Sequence, residues 1–131
     1  MAQAVRHAIL TLSFEAGADL SAKQYTAVKL DTATAWKVAA CGSNEAGIGI
    51  LQGTPVSGGT AEVDIEGITR WKVDGNAGAI APGDYLKSDA NGKGVKTTTD
   101  NEFVMARAME LSSADGDIIT VKLLGGGAHR Y

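Results

Sequence analysis

Few residues in this chain could do chemistry, and their spacing limits what that chemistry could be. Asp64 and Glu66 stand two apart in the run Ala61-Glu62-Val63-Asp64-Ile65-Glu66-Gly67. On a strand, residues two apart share a face, so the pair could hold a cation or serve as a general acid and base. The plainer reading is that an alternating, half-buried strand puts polar side chains on its wet face, and that reading is preferred here. Cys41, the single cysteine, has no Cys or His at metal-ligand spacing, which leaves it a small side chain suited to the interior. The two histidines, His7 and His129, fall near the chain ends, where neither is expected to be held rigidly against a nucleophile. Gly58-Gly59 and Gly125-Gly126-Gly127 lack the Lys-Ser/Thr of a phosphate loop and the G-x-G-x-x-G strand-to-helix setting of a dinucleotide site. The expectation is a protein without catalytic group, metal or cofactor, and not an enzyme.

What remains is recognition by surface. Trp is enriched at the energetic centres of interfaces, and the chain has two, Trp36 and Trp71. Arg70-Trp71-Lys72 places Trp71 between two cations, which makes it the chosen contact candidate, with core filling as the alternative for either ring.

The elements that must carry these residues read as strands. Leu10, Leu12 and Phe14 alternate in Ala8–Phe14, after a short mobile arm, Met1 to His7. Tyr25–Leu30 and Ala35–Ala40 flank a polar segment, Asp31–Thr34, of hairpin-loop length. Gly47–Gly53, Ala61–Gly67 and Ile68–Val73 follow, with apolar and acidic residues alternating without a slip over 61–67. Pro82-Gly83 and Asn91-Gly92 are turn dipeptides, since Pro presets φ and Gly accepts positive φ. Phe103–Glu110 and Ile118–Leu124 close the pattern, joined by a spacer in which Leu111–Ala114 could make one helical turn. A weak echo relates Gly49-Ile50-Leu51 and Val63-Asp64-Ile65 to Ala106-Arg107-Ala108 and Val121-Lys122-Leu123, as two strand-loop-strand units that pair with each other.

The chain has 131 residues, enough for one domain that buries about two thirds of its unfolded surface. With two Trp, three Tyr and two Phe against 17 Gly, the core must come mainly from Val, Ile, Leu and Ala. These features predict an all-β fold, a small β-barrel or sandwich of short antiparallel strands with an N-terminal arm and at most one short helix. The expected division is 1–14 as arm and first strand, 15–124 as a single β domain, and 125–131 as a Gly-rich tail. A net charge of −3 with interspersed signs and no basic run argues against direct nucleic-acid binding. No apolar stretch suits a signal peptide or a membrane span, and with one cysteine this predicts synthesis in a reducing cytoplasm and no membrane partner.

Five pieces in order resemble the capsid decoration, or head cement, proteins of tailed phages. They are Asp19–Tyr25 with Val28-Lys29-Leu30, Gly47–Gln52, the strand from Gly59 to Gly67, Pro82-Gly83-Asp84-Tyr85-Leu86, and the ending from Met105 to Leu124. The resemblance covers most of the chain after about residue 19 and leaves Met1 to Phe14 unmatched. It implies a compact β domain, assembled as a homotrimer on the exterior of the virion's capsid, that clamps major capsid protein subunits of the expanded shell against internal DNA pressure. Val5, Arg6 and Ile9 of the arm, with Arg70 and Trp71, are the expected capsid contacts. A competing class is an attachment module, a phage or cell-surface domain that binds glycan or receptor through exposed aromatics and loop Asp and Asn. A third, a carrier or enzyme domain, would present a modified lysine on a hairpin.

Overall fold

A 15-residue strand, β5 (Thr60–Asp74), organises the molecule. A computed structural model describes residues 4–124 and the backbone of residues 129 and 130. Around β5 run β1 (His7–Ala16), β2 (Ala27–Leu30), β3 (Lys37–Ala40), β4 (Gly49–Leu51), β6 (Tyr85–Ser88) and β7 (Gly94–Lys96). They are joined by β8 (Phe103–Val104), β9 (Ala106–Ala108), β10 (Asp115–Leu123) and β11 (His129–Arg130). No helix occurs among the described residues, and Leu111–Ala114 makes no helical turn; Ser112 bridges to Ile80 instead. The fold is all-β, as the sequence predicts.

Nine strands form one sheet in the order β1-β3-β2-β4-β5-β10-β9-β6-β7, and two further pairings, β1–β5 and β5–β7, close it on itself twice. Each half is thus a ring of five strands, and β5 belongs to both. The β1–β3 and β5–β7 pairings are parallel, where only antiparallel neighbours were expected; every other pairing is antiparallel. Within each unit of the sequence echo the segments pair, β4 on β5 and β9 on β10, and the units meet where β10 lies on β5 over residues 68–74, beyond the echo segment Val63-Asp64-Ile65.

Two hydrophobic cores result. Phe14, Ala16, Leu20, Val28, Val38, Leu51, Ala61 and Val63 fill the first ring. The second contains Trp71, Val73, Ile80, Leu86, Met105, Ile119, Val121 and Leu123, together with Ala27, Cys41 and Ile50. Ala27 and Ile50 face the second core while their chain neighbours Val28 and Leu51 face the first, so β2 and β4 form a wall between them. Gly49 lies against the Asp64 backbone in this wall, where a Cβ would overlap it.

The uninterrupted alternation expected over 61–67 is corrected here. Consecutive Leu10 and Thr11 of β1 pair with Glu66 and Asp64, so Ile65 is the extra residue of a β-bulge. The bulge flips the strand's faces: Ala61 and Val63 point into the first core, whereas Thr69, Trp71 and Val73 point into the second. It also separates Asp64 from Glu66, which no longer share a wet face; Asp64 is buried and Glu66 exposed.

The two turn dipeptides form as expected. Gly83 has φ 95° in the turn closed by Asp84 N–H donating to the Ala81 carbonyl, and Gly92 has φ 77°. Trp71 is fully buried, its indole N–H donating to the Gly92 carbonyl at 2.9 Å. Trp71→Ala should therefore cost about 3–5 kcal/mol of stability by loss of core volume, measured by chemical denaturation, against less than about 1 kcal/mol for Lys72→Ala on the other face.

Candidate interaction face

The outward side of the second ring can be read row by row from the strand register. Ile68, Lys122, Arg107 and Tyr85 stand in line across β5, β10, β9 and β6. Arg70 faces Thr120 in the next row, and Lys72 faces Ile118 in the one after. Met109 joins the middle row, its N–H donating to the Thr120 carbonyl. Ile118 and Met109 are exposed, and so are Lys122 and Arg107.

Residues 4–6 lie across this face. The Val5 N–H donates to Thr120 Oγ1 at 2.7 Å, and Thr120, although on the outward side, is only 6% exposed. The arm expected to be mobile is tethered at Val5 and Arg6; Met1 to Gln3 lie outside the described residues, as do 125–128 and 131 of the expected tail. Ile9, the bulged residue of β1, is 79% exposed and borders a groove with His7, Ile68 and Lys122.

Arg6 turns inward to Asp64. Its Nε and terminal NH₂ donate to the two carboxylate oxygens at 2.8 and 2.7 Å, a two-point pairing. Thr11 and Thr69 hydroxyls donate to the same oxygens, each at 2.7 Å, and Gln52 Nε2 in turn donates to Thr69 Oγ1. Burial by itself would push Asp64 up, but the bonds from Arg6, Thr69 and Thr11 outweigh it and hold the carboxyl below its usual range.

The face is cationic on a protein of net charge −3. Arg70, Lys72, Arg107 and Lys122 form no ion pair among the described residues, whereas Lys29, Lys37, Lys87, Lys93 and Lys96 each pair with an acid. The guanidinium of Arg70 lies 4.8 Å from the centre of the Tyr25 ring, and that of Arg107 5.0 Å from Tyr85. Two acids stand among them: Glu110, which accepts from the Thr120 N–H, and exposed Glu66, which lines the groove beside Ile9 and Lys122. Of the sequence candidates, the fold gathers Val5, Ile9 and Arg70 here and sends Arg6 inward at the edge. Trp71 points to the opposite side of β5, into the core, so its side chain is not on the surface of this chain. Arg107 and Lys122 were missed because they join the others only through strand pairing; the polar positions on either side of Trp71 were the signal that it points inward.

Elsewhere, Cys41 is buried, and burial pushes its thiol up. Among the described residues no cluster of His, Cys, Asp and Glu could hold a metal ion. The backbone of His129 pairs with Val104.

Comparison with known proteins decides the family. The model of the phage cement protein family matches residues 5–123. The chain belongs to the phage cement protein family. Its solved structural neighbours include the crystal structure of the head fiber gp8.5 N base of bacteriophage phi29, with a TM-score of 0.68 at 15% identity, covering 87% of this chain and 92% of that one. At that identity the likeness is one of fold. No curated protein matches the sequence. As a cement protein the chain is a structural, capsid-associated virion component.

A depressed carboxylate contributes stability that is present above its unfolded pKa and is lost as pH falls through the folded one. The melting temperature of this cement protein should therefore hold steady above about pH 5 and fall below about pH 4. Asp64→Asn should flatten that fall, and Arg6→Ala should lower stability by about 2–4 kcal/mol at neutral pH by leaving a buried charge unpaired. Thermal scans across pH check both.

Proposed function

We propose that the protein docks on the outer surface of the expanded phage capsid through the cationic and apolar face of its second ring, contacting the major capsid protein. The observation that carries this reading is the set of Arg70, Lys72, Arg107 and Lys122, without an ion pair among the described residues and aligned beside exposed Ile9, Met109 and Ile118, in a cement-family chain of net charge −3. Interfaces favour Arg and apolar anchors at their centres, and an acidic partner patch would steer the encounter.

A protein that binds the expanded lattice and not its precursor stabilises the expanded state by its binding free energy, repeated over every site of the shell. Internal DNA pressure is thereby resisted. A homotrimer multiplies weak contacts into slow dissociation. The free edge of β1 supports such association: among the described residues no strand pairs with that side of His7–Ser13, and exposed edges of this length are sites of strand addition. Synthesis in the host cytoplasm, followed by addition to the capsid exterior, completes the reading.

Co-sedimentation with unexpanded and expanded heads of the cognate phage tests it, with light scattering for oligomeric state. Saturable binding to expanded heads alone is expected, weakening as salt rises. Arg107→Glu with Lys122→Glu should weaken it by roughly tenfold or more without lowering the melting temperature. Val5→Asp probes the arm better than its deletion, which would also remove Arg6 from Asp64. Absence of binding to either form would reject the capsid reading; unchanged binding of the double variant would reject this face alone.

A further inference from the structure

At the other end of β5, beside Thr60, the surface has a different character. Trp36 is 65% exposed and has a left-handed backbone, φ 61°. A bulky side chain held in that region is strained, and such strain persists only where the surroundings enforce it. They do so here. The Asp31 carboxylate accepts from the N–H groups of Ala33 and Thr34, the Asp31 N–H donates to the Lys37 carbonyl, and the Glu15 N–H donates to the Trp36 carbonyl at 2.8 Å. The indole is braced from below by Phe14, ring centres 5.5 Å apart and tilted by 34°.

The groove beside this ring is lined by Ser13, Glu15, Trp36, Gly58, Gly59 and Thr60. Glu15 is held by Lys37 at 3.2 Å and keeps a solvent-facing carboxylate. A fixed, flat apolar surface bordered by hydroxyls and one carboxylate matches the chemistry of a sugar ring. The carbon-bound hydrogens of a pyranose lie against an aromatic face, while its hydroxyl groups exchange hydrogen bonds at the rim.

We infer that the Trp36 groove is a binding site for a neutral saccharide of gluco configuration in β linkage. Equatorial hydroxyls leave both faces of such a ring as flat C–H surfaces, which suits stacking on one indole. The Glu15 carboxylate accepts from sugar hydroxyls, and its pairing with Lys37 leaves the rim without net charge, which suits a neutral sugar. The rigid loop lowers the ordering cost of binding, because the indole is presented before the ligand arrives. This site is independent of the capsid-docking face, which lies at the opposite end of β5, so one copy could hold both ligands at once.

The test uses the full chain with cellotetraose and chitotetraose as probes, and polygalacturonate as the anionic comparison. Trp71 is shielded in the core, so quenching of fluorescence by acrylamide reports on Trp36. Saturable protection from quenching by either neutral probe is expected, with polygalacturonate weaker. Trp36→Ala, followed by isothermal calorimetry because its fluorophore is gone, should lose roughly tenfold or more of the affinity, the scale of removing one stacked aromatic. Glu15→Gln should retain stacking but bind polygalacturonate relatively better. Lack of protection by both neutral probes overturns the inference, as does unchanged affinity in Trp36→Ala. A change in oligomeric state of Trp36→Ala, seen by light scattering without saccharide binding in the parent, would instead assign the indole to contact between copies of the chain.

Discussion

A carboxylate without access to water, that of Asp64, is the constraint around which the rest of the surface is arranged. A buried charge left unpaired costs several kcal/mol, so the fold must bring a cation to it and satisfy its remaining lone pairs. Thr11 and Thr69 supply neutral donors from β1 and from β5 beyond the bulge, and Arg6 supplies the charge from the arm. Because Arg6 has to reach the wall between the cores, the residue before it lies over β10, where Val5 covers Thr120. The exposed arrangement of Val5 and Ile9 is thus a consequence of an interior requirement. Arg6, expected to grip a partner, serves chiefly to fix the segment that presents its neighbours.

The bulge at Ile65 has equal reach. Without an extra residue, β5 would present one side to a single core along its whole length, since side chains alternate with a period of two. One inserted residue exchanges the sides, so the first half of β5 closes one ring and the second half closes the other. The cationic face follows from the same exchange: Ile68, Arg70 and Lys72 continue the side that upstream is Val63, yet they meet solvent because the second core has moved to the opposite side. A strand shared by two cores also ties them mechanically, which suits a structural, capsid-associated protein.

The two ends of β5 therefore offer different surfaces. One is cationic and apolar, built from side chains on four adjacent strands and crossed by the arm. The other is a single indole on a strained, internally bonded loop.

Strand identity was legible in the sequence wherever apolar residues alternate, because burial on one side of a pleat writes a period of two into the chain. The all-β class, the hairpin around Asp31–Thr34, the turns at Gly83 and Gly92, and the strand pairing within each echo unit were determined at that level. So was the inward direction of Trp71, had the polar Arg70 and Lys72 on either side been read as alternation and not as a contact motif. What only the tertiary structure decided is which side of each strand becomes interior. The bulge at Ile65 shows itself only in the register with β1, the burial of Asp64 depends on an arginine 58 residues away in the chain, and Arg107 joins Lys122 only because β9 lies on β10. Local periodicity records that a strand has two sides; long-range pairing and the cost of burying charge determine which of them faces water.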